Sequence, residues 1–267
     1  MKARMSRTSR MLNAMVLSTC CLLGLAANAG AQITYHGGPV ILSAKVVNIF
    51  WGPTFAPGGV DNAYANTLSL YRNQLGTTRE YKIITQYYQI VGTTQQFIQL
   101  SNLGTGTADW FDTSTPPANV TDTIARNEIR AYLATHAFDP STIYELYLPA
   151  SSYSSNGSLT SCGGPGLAYC TYHNFIASGS NRIKYTVQPY QSCGGCQVAG
   201  FTAAQNQEVF VAYSTRGAAT NPLFNAWYDN VSGIEMGDKC LWSPPPFLDG
   251  GAYPYDWSNL VNACVKW

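Results

Sequence analysis

The chain has 267 residues, with 15 Lys and Arg against 14 Asp and Glu, and only 11% of its residues are charged. So even a balance, without a basic run, argues against a nucleic-acid partner or electrostatic attachment to an anionic membrane. The length suits one large domain or two small ones.

Residues 1–31 read as an export leader. Lys2, Arg4, Arg7 and Arg10 form a positive start, and residues 11–27 form an uncharged apolar run. Ala27-Asn28-Ala29 and Ala29-Gly30-Ala31 both fit small-x-small cleavage sites, and cleavage after Ala31 is the preferred reading. The run is shorter than the ~20 apolar residues a membrane span needs. Removal leaves eleven basic side chains against fourteen acidic ones. Residues 32–267 show no internal repeat and no linker flanked by two complete cores, so a single domain is expected.

Residues 40–51 are β-branched and aromatic and end at Gly52-Pro53, the pattern of a buried strand. Residues 61–75 place Tyr64, Leu68, Tyr71 and Leu75 on one helical face. Residues 80–91 read as a second strand, with 97–103 as its partner or that of a neighbour. Residues 104–119 read as a loop. Residues 121–136 read as a second helix, with Ile124, Ile129 and Leu133 inward. A strand follows over 142–148, then a Ser/Gly loop over 151–166, then strands over 167–176 and 182–190. Residues 202–219 read as the third helix, stopped by Asn221-Pro222. The remainder reads as turns and short pieces. Strands alternating with helices predict an α/β fold with a mixed, mostly parallel sheet.

Cys20 and Cys21 leave with the leader, and Cys162, Cys170, Cys193, Cys196, Cys240 and Cys264 remain. An even count in an exported chain reads as three disulfides. Six cysteines allow about 15 pairings. Local closure favours Cys162–Cys170, Cys193–Cys196 and Cys240–Cys264. The Cys193-Gly194-Gly195-Cys196 stretch has redox spacing, but it lies short of the helix whose N-terminus would activate a thiolate. A loop clip is the preferred reading.

The third helix occupies the place of a zincin helix, which presents two metal-binding histidines one turn apart. Counted back from Thr220-Asn221-Pro222, the matching positions hold Tyr213, Ser214 and Gly217, and none is a usual zinc ligand. The three histidines, His36, His136 and His173, all lie off this helix. No metal or other cofactor is therefore expected. Glu235 and Asp238 read either as a remnant of a metal or acid/base site or as a solvated turn pinned by Cys240. His173 reads either as a packed, hydrogen-bonded imidazole or as a general base. A rebuilt metal site would need His36, His173, Glu235 and Asp238 to converge. There is no Gly-x-Ser-x-Gly elbow, and Gly163-Gly164-Pro165-Gly166 lacks the Lys-Ser/Thr of a phosphate loop. Asn119, Asn156 and Asn230 stand in N-x-S/T frames.

Four stretches together resemble the Exordium, or phosphate-induced, protein family. Tyr35-His36-Gly37-Gly38-Pro39 leads into an apolar strand ending at Trp51. Tyr169, Cys170 and His173 match a Tyr-Cys-Gly-Trp-His-Gly stretch, with departures at Thr171, Tyr172 and Asn174. Cys193 and Cys196 resemble its paired-cysteine loop, and Thr220, Asn221, Pro222 and Asn225 match its Thr-Asn-Pro-x-x-Asn segment. The likeness spans roughly residues 34–240 with long unmatched stretches. The later segments, Trp227-Tyr228-Asp229, Gly237-Asp238-Lys239-Cys240 and Trp257-Ser258-Asn259, also resemble secreted microbial proteins that carry His-Glu before Thr-Asn/Asp-Pro. The resemblance implies a secreted protein, in the extracellular, periplasmic or cell-wall space, with a zincin-like layout and a degenerate site. The missing metal ligands, with Tyr and Trp available to line a groove, favour a non-catalytic role in binding a cell-wall glycan or a peptide through a cleft lined by Tyr213, Ser214, Gly217, His173, Glu235 and Asp238. The alternative is a secreted hydrolase with a rearranged site.

Overall fold

The computed structural model describes residues 32–241 and 243–267. The expected leader, residues 1–31, lies outside them.

Strand β1 (Ile33–Tyr35) is followed by β2 (Lys45–Trp51), the apolar run read from the sequence. It starts five residues later than expected. Residues 40–44 cross the end of the third helix instead, with Ile41 N donating to Ala219 O at 2.9 Å and Gln99 N donating to Leu42 O at 2.7 Å. Helix α1 (Asn62–Leu75) buries Tyr64, Leu68, Tyr71 and Leu75, the predicted stripe.

The expected strand over 80–91 is instead a 3₁₀ turn (Tyr81–Gln86) followed by β3 (Tyr88–Val91). Tyr81, Ile84 and Tyr87 are wholly buried three residues apart, the spacing that stacks side chains on a 3₁₀ turn. Strand β3 forms a hairpin with β4 (Thr94–Phe97) across Gly92-Thr93, where Gly92 takes the left-handed φ of 62° that such a turn demands. Beyond Phe97 the expected strand is absent.

The predicted loop over 104–119 contains β5 (Trp110–Asp112) and the start of β6 (Asn119–Thr121). Helix α2 (Asp122–Leu133) follows, with the Thr121 hydroxyl accepting from Ile124 N as its N-cap. Next come β7 (Thr142–Tyr147), β8 (Tyr153–Asn156), β9 (Leu159–Ser161), β10 (Leu167–Tyr169), β11 (Tyr172–Ser178) and β12 (Asn181–Gln188). Helix α3 (Ala203–Thr220) opens on a capping box between Thr202 and Gln205. Strand β13 (Trp227–Asp229) pairs back onto β1. The tail holds two small hairpins, β14 (Phe247–Leu248) with β15 (Gly251–Ala252), and β16 (Asp256–Ser258) with β17 (Ala263–Val265).

The central sheet has the order β11-β12-β7-β2-β5. Its pairs are parallel except β11 with β12, so it is mixed and mostly parallel, with an antiparallel edge strand. A second sheet, β10-β9-β8-β6, uses polar strands from the predicted Ser/Gly loop. Helices cover both faces of the central sheet. On one side Ala125, Ile129 and Tyr132 of α2 pack against Val47, Ile49, Leu146 and Val187. On the other, α1 and α3 pack against Val46, Phe50, Ile143 and Tyr147.

Among the described residues three disulfides are present, but only Cys240–Cys264 joins the expected partners. Cys162 bonds to Cys193 and Cys170 bonds to Cys196. The reason lies in the second sheet. Strands β9 and β10 are parallel neighbours with Tyr169 opposite Ser161, so Cys162 and Cys170 leave the same end side by side. The 3₁₀ turn carrying Cys193 and Cys196 lies across that end and reaches both. The Cys-x-x-Cys stretch therefore does not close on itself.

Candidate functional site

The site grows from one row of the central sheet. Asn48 of β2 pairs with Glu145 of β7, Glu145 with Thr186 of β12, and Thr186 with His173 of β11. Side chains alternate along a strand, so this row faces the same side as Ile143 and Tyr147, toward α3. Three of its members, Asn48, Glu145 and Thr186, are wholly buried. Thr215 of α3 and Tyr147 both donate to the Glu145 carboxylate, the latter at 2.8 Å. Burial pushes the Glu145 carboxyl up to about 7, against the opposing pull of those two donors and Arg72.

At the edge of the row, His173 Nε2 lies 2.8 Å from Glu235 Oε2. An ionised carboxylate only accepts, so Nε2 carries the proton in this contact. The other oxygen, Glu235 Oε1, accepts from Asn221 Nδ2 at 2.6 Å, and Asn221 Oδ1 accepts from Ala226 N at 2.8 Å. Asn221 stands at the break between α3 and Pro222, where the chain leaves helical geometry. The break that ends the helix thus also fixes the glutamate. His173 Nδ1 is buried without a partner among the described residues.

Gly217 makes room for this pair. A Cβ there would lie 3.0 Å from Glu235 Oε2 and 3.3 Å from two atoms of the His173 ring. Asp238 stands one turn along: its Oδ2 accepts from Glu235 N at 2.9 Å, and Tyr213 donates its hydroxyl to Oδ1. Burial, and then the Asp238 charge, raise the Tyr213 phenol well above its ordinary value, so it remains a donor. Gly237 lets the Tyr213 ring approach, since a Cβ there would meet ring atoms at 2.7 Å. The Cys240–Cys264 bridge ties this acidic turn to the C-terminal hairpin.

The side chains of His173 and Glu235 are only 8% and 13% exposed. Phe224 lies over them, with its ring stacked on the imidazole at 4.9 Å and its backbone in the left-handed region at φ 57°. Phe224 itself is 46% exposed, and Phe175 of β11 tilts against it at 6.2 Å. The two phenyl rings form an aromatic platform that the sequence reading did not single out. Its one signal was the Pro222-Leu223-Phe224 run beside the matched Thr-Asn-Pro segment.

The structure thus gathers Gly217, His173 and Glu235 in direct contact, with Tyr213 and Asp238 adjoining through Glu235. It does not gather Ser214 with them. Ser214 is wholly buried, donates to Phe210 O at 2.8 Å and accepts from Gln188 Nε2 at 2.6 Å, so it packs the core rather than lining a cleft. Nor does His36 join. Its ring stacks on Tyr228 at 3.5 Å and its Nε2 lies 3.0 Å from the Thr34 hydroxyl, within the β1–β13 ribbon. Gly38 is required there instead, because a Cβ would collide with Asn225. His136 stacks on Tyr132 at the end of α2.

Among the described residues, the His, Cys, Asp and Glu groups whose donor atoms cluster in threes within 4.8 Å are Cys162, Cys193 and Cys196 alone. Those cysteines are in disulfides. His36, His173, Glu235 and Asp238 do not converge on a common point. No family model matches the chain, and no curated protein or solved structure matches it either.

Proposed function

We propose that the protein is an exported, Exordium-like binding protein of one domain and zincin-like layout. Its ligand is an extracellular glycan or peptide held in the cleft along β11. The layout is supported by the antiparallel edge strand β11 and by helix α3 behind it, with Gly217 where a zincin helix would carry a ligand. Export is supported by the three disulfides, which persist in oxidising compartments. No helix among the described residues is long and apolar enough to cross a membrane.

One observation carries the binding reading: the His173–Glu235 contact is closed. Glu235 takes up His173 Nε2 at 2.8 Å, Asn221 holds the remaining carboxylate oxygen, and Phe224 covers the imidazole. Ser214, the one serine of the expected cleft, is turned into the core and supplies no nucleophile to this base. The exposed part of the site is aromatic, and aromatic faces bind sugars and extended peptides by stacking and apolar contact.

The hydrolase alternative draws on a different detail. An imidazole oriented by a carboxylate, with its second nitrogen unpartnered, is the arrangement of a general base. Arrays of glycans and peptides probed with the mature protein and with Phe224→Ala separate the two. Retention of ligands by the wild type and their loss in the variant support binding. Stoichiometric zinc that disappears in His173→Ala, with cleavage of a retained ligand, supports the hydrolase instead.

A further inference from the structure

Lys184 stands two residues before Thr186 on β12, on the same face of the sheet, and its cross-strand neighbour on β11 is Phe175. A recess of about 470 Å³ opens at this point, with Lys184, Arg182, Ser141, Gln89, Phe138 and Leu223 among its walls. Leu223 belongs to the segment that continues into Phe224. The recess and the aromatic platform therefore share the Phe175–Lys184 strand pair and the chain leaving α3.

Lys184 is only 7% exposed, yet it forms no ion pair among the described residues. Its ammonium has three N–H donors, and its one acceptor among the described residues is the carbonyl of Pro140. The neighbouring acid, Asp139, is already taken: it pairs with Lys45 at 2.9 Å and accepts from Ser141 N at 2.7 Å. Burial pulls the Lys184 pKa down, and the Asp139 charge opposes that pull. A buried charge is costly unless something pairs with it. Arg182 adds a second cation at the rim, where it is exposed and, among the described residues, bonded only to the carbonyls of Gly179 and Asn181. The recess thus offers positive charge and polar donors and brings no anion of its own.

We propose that the cleft selects an anionic saccharide. A pyranose face stacks on Phe224 and Phe175 while its carboxylate or sulfate ester enters the recess and pairs with Lys184, with Arg182 at the rim. This inference rests on the glycan arm of the binding reading and names the class of glycan. A single monoanionic group matches the single buried ammonium, and an aromatic platform beside it accepts a flat, weakly polar ring face.

Calorimetric titration of the mature protein tests it with four probes: trigalacturonate, the same trisaccharide with its carboxylates reduced, a sulfated trisaccharide, and triglutamate. At least one anionic saccharide is expected to bind about tenfold or more tightly than the reduced form, the scale of one charged hydrogen bond. Lys184→Met brings that ratio close to one while binding of the reduced trisaccharide persists, and unchanged thermal melting shows that the variant is folded. Arg182→Gln, on the surface, lowers the ratio by a smaller factor. Phe224→Ala weakens all saccharides alike. Carboxylate and sulfate sources are told apart by which of the two anionic saccharides binds. Equal binding of charged and reduced saccharides, or a ratio that survives Lys184→Met and Arg182→Gln, overturns this inference and leaves the glycan reading standing. Tighter binding of triglutamate than of any saccharide, or no saccharide binding, overturns both the inference and the glycan reading.

Discussion

The two faces of the central sheet differ in kind. Toward α2 the sheet presents Val47, Ile49, Leu146, Ile183 and Val187, an apolar surface closed by Ile129 and Tyr132. Toward α3 it presents Asn48, Glu145, Lys184, Thr186 and Gln188, polar groups in the same strands, each buried. An apolar face tolerates many sequences, because burial is non-directional. A buried polar face demands a partner for each group. Helix α3 supplies some of those partners from its own inward side: Thr215 donates to Glu145, and Gln207 donates to the Gln188 side-chain oxygen at 2.9 Å, while the Asn48 amide is left without a partner among the described residues. A polar interior of this kind costs stability, and its row leads to His173 at the sheet edge.

The sharpest way to break the comparison is at Arg216, the neighbour of Thr215 on α3, which turns from the sheet toward Glu80, Pro254 and Asp256. Its guanidinium and the Asp256 carboxylate are wholly buried 2.6 Å apart. Arg216→Met leaves Asp256 without its counter-charge and is expected to cost about 3–5 kcal/mol in denaturant unfolding. Adding Asp256→Asn should recover part of that loss. A cost below 1 kcal/mol would show that water reaches the pair.

On the apolar face, Ile129→Ala is expected to cost about 2–5 kcal/mol. Ligand binding in the surviving folded fraction should be unchanged, because Ile129 touches only the α2 side. A change in affinity would couple the two faces.

Glu145 sharpens the contrast through pH. Its folded pKa is raised from 4.5 to about 7, chiefly by burial, so the fold binds more protons than the unfolded chain between those values. The associated stability is complete below the unfolded pKa and is lost as pH rises through the folded one. Glu145→Gln should flatten the fall in stability over that interval by up to roughly 3 kcal/mol, at about 1.4 kcal/mol for each pH step. Urea melts at several pH values measure it, and an unchanged slope would mean that Glu145 is ionised in the fold throughout.

The smallest effect is expected at Gly217. Gly217→Ala gains about 1 kcal/mol of helix propensity and loses a comparable amount by crowding His173 and Glu235, since the new Cβ sits 3.0 Å from Glu235 Oε2. Melting should therefore move little while the His173 imidazole NMR signals shift. A stable variant with unshifted signals would place the pair away from the helix.

The helices were legible because α1 and α2 repeat apolar residues at helical spacing, and α3 is bracketed by Thr202 and Asn221-Pro222. Strands β2 and β7 were legible as short runs rich in β-branched and aromatic residues, and β12 by its alternation of Ile183, Tyr185 and Val187 with polar residues. Residues 80–91 misled because Tyr81, Ile84 and Tyr87 look β-like singly and reveal their period of three only when taken together. Strands β8 and β9 were hidden because Ser154, Ser155, Thr160 and Ser161 are buried polar residues, and Ser and Gly in a run read as loop. The crossed pairing of Cys162 and Cys170 depended on those unseen strands. At the site, His173, Glu235 and Gly217 were nameable as candidates, whereas Asn221 was read as a helix stop and a matched motif position, not as a site residue. Its second role, holding Glu235, depends on a contact between residues fourteen apart.

Binding without turnover is the central claim, and mass spectrometry of the captured ligand tests it most directly. The mature protein is incubated for hours with a ligand retained from the glycan or peptide arrays, and the ligand is weighed before and after. The account predicts a ligand of unchanged mass, retained by the wild type and released by Phe224→Ala. New reducing ends or new peptide termini, formed by the wild type and lost in His173→Ala, would contradict it.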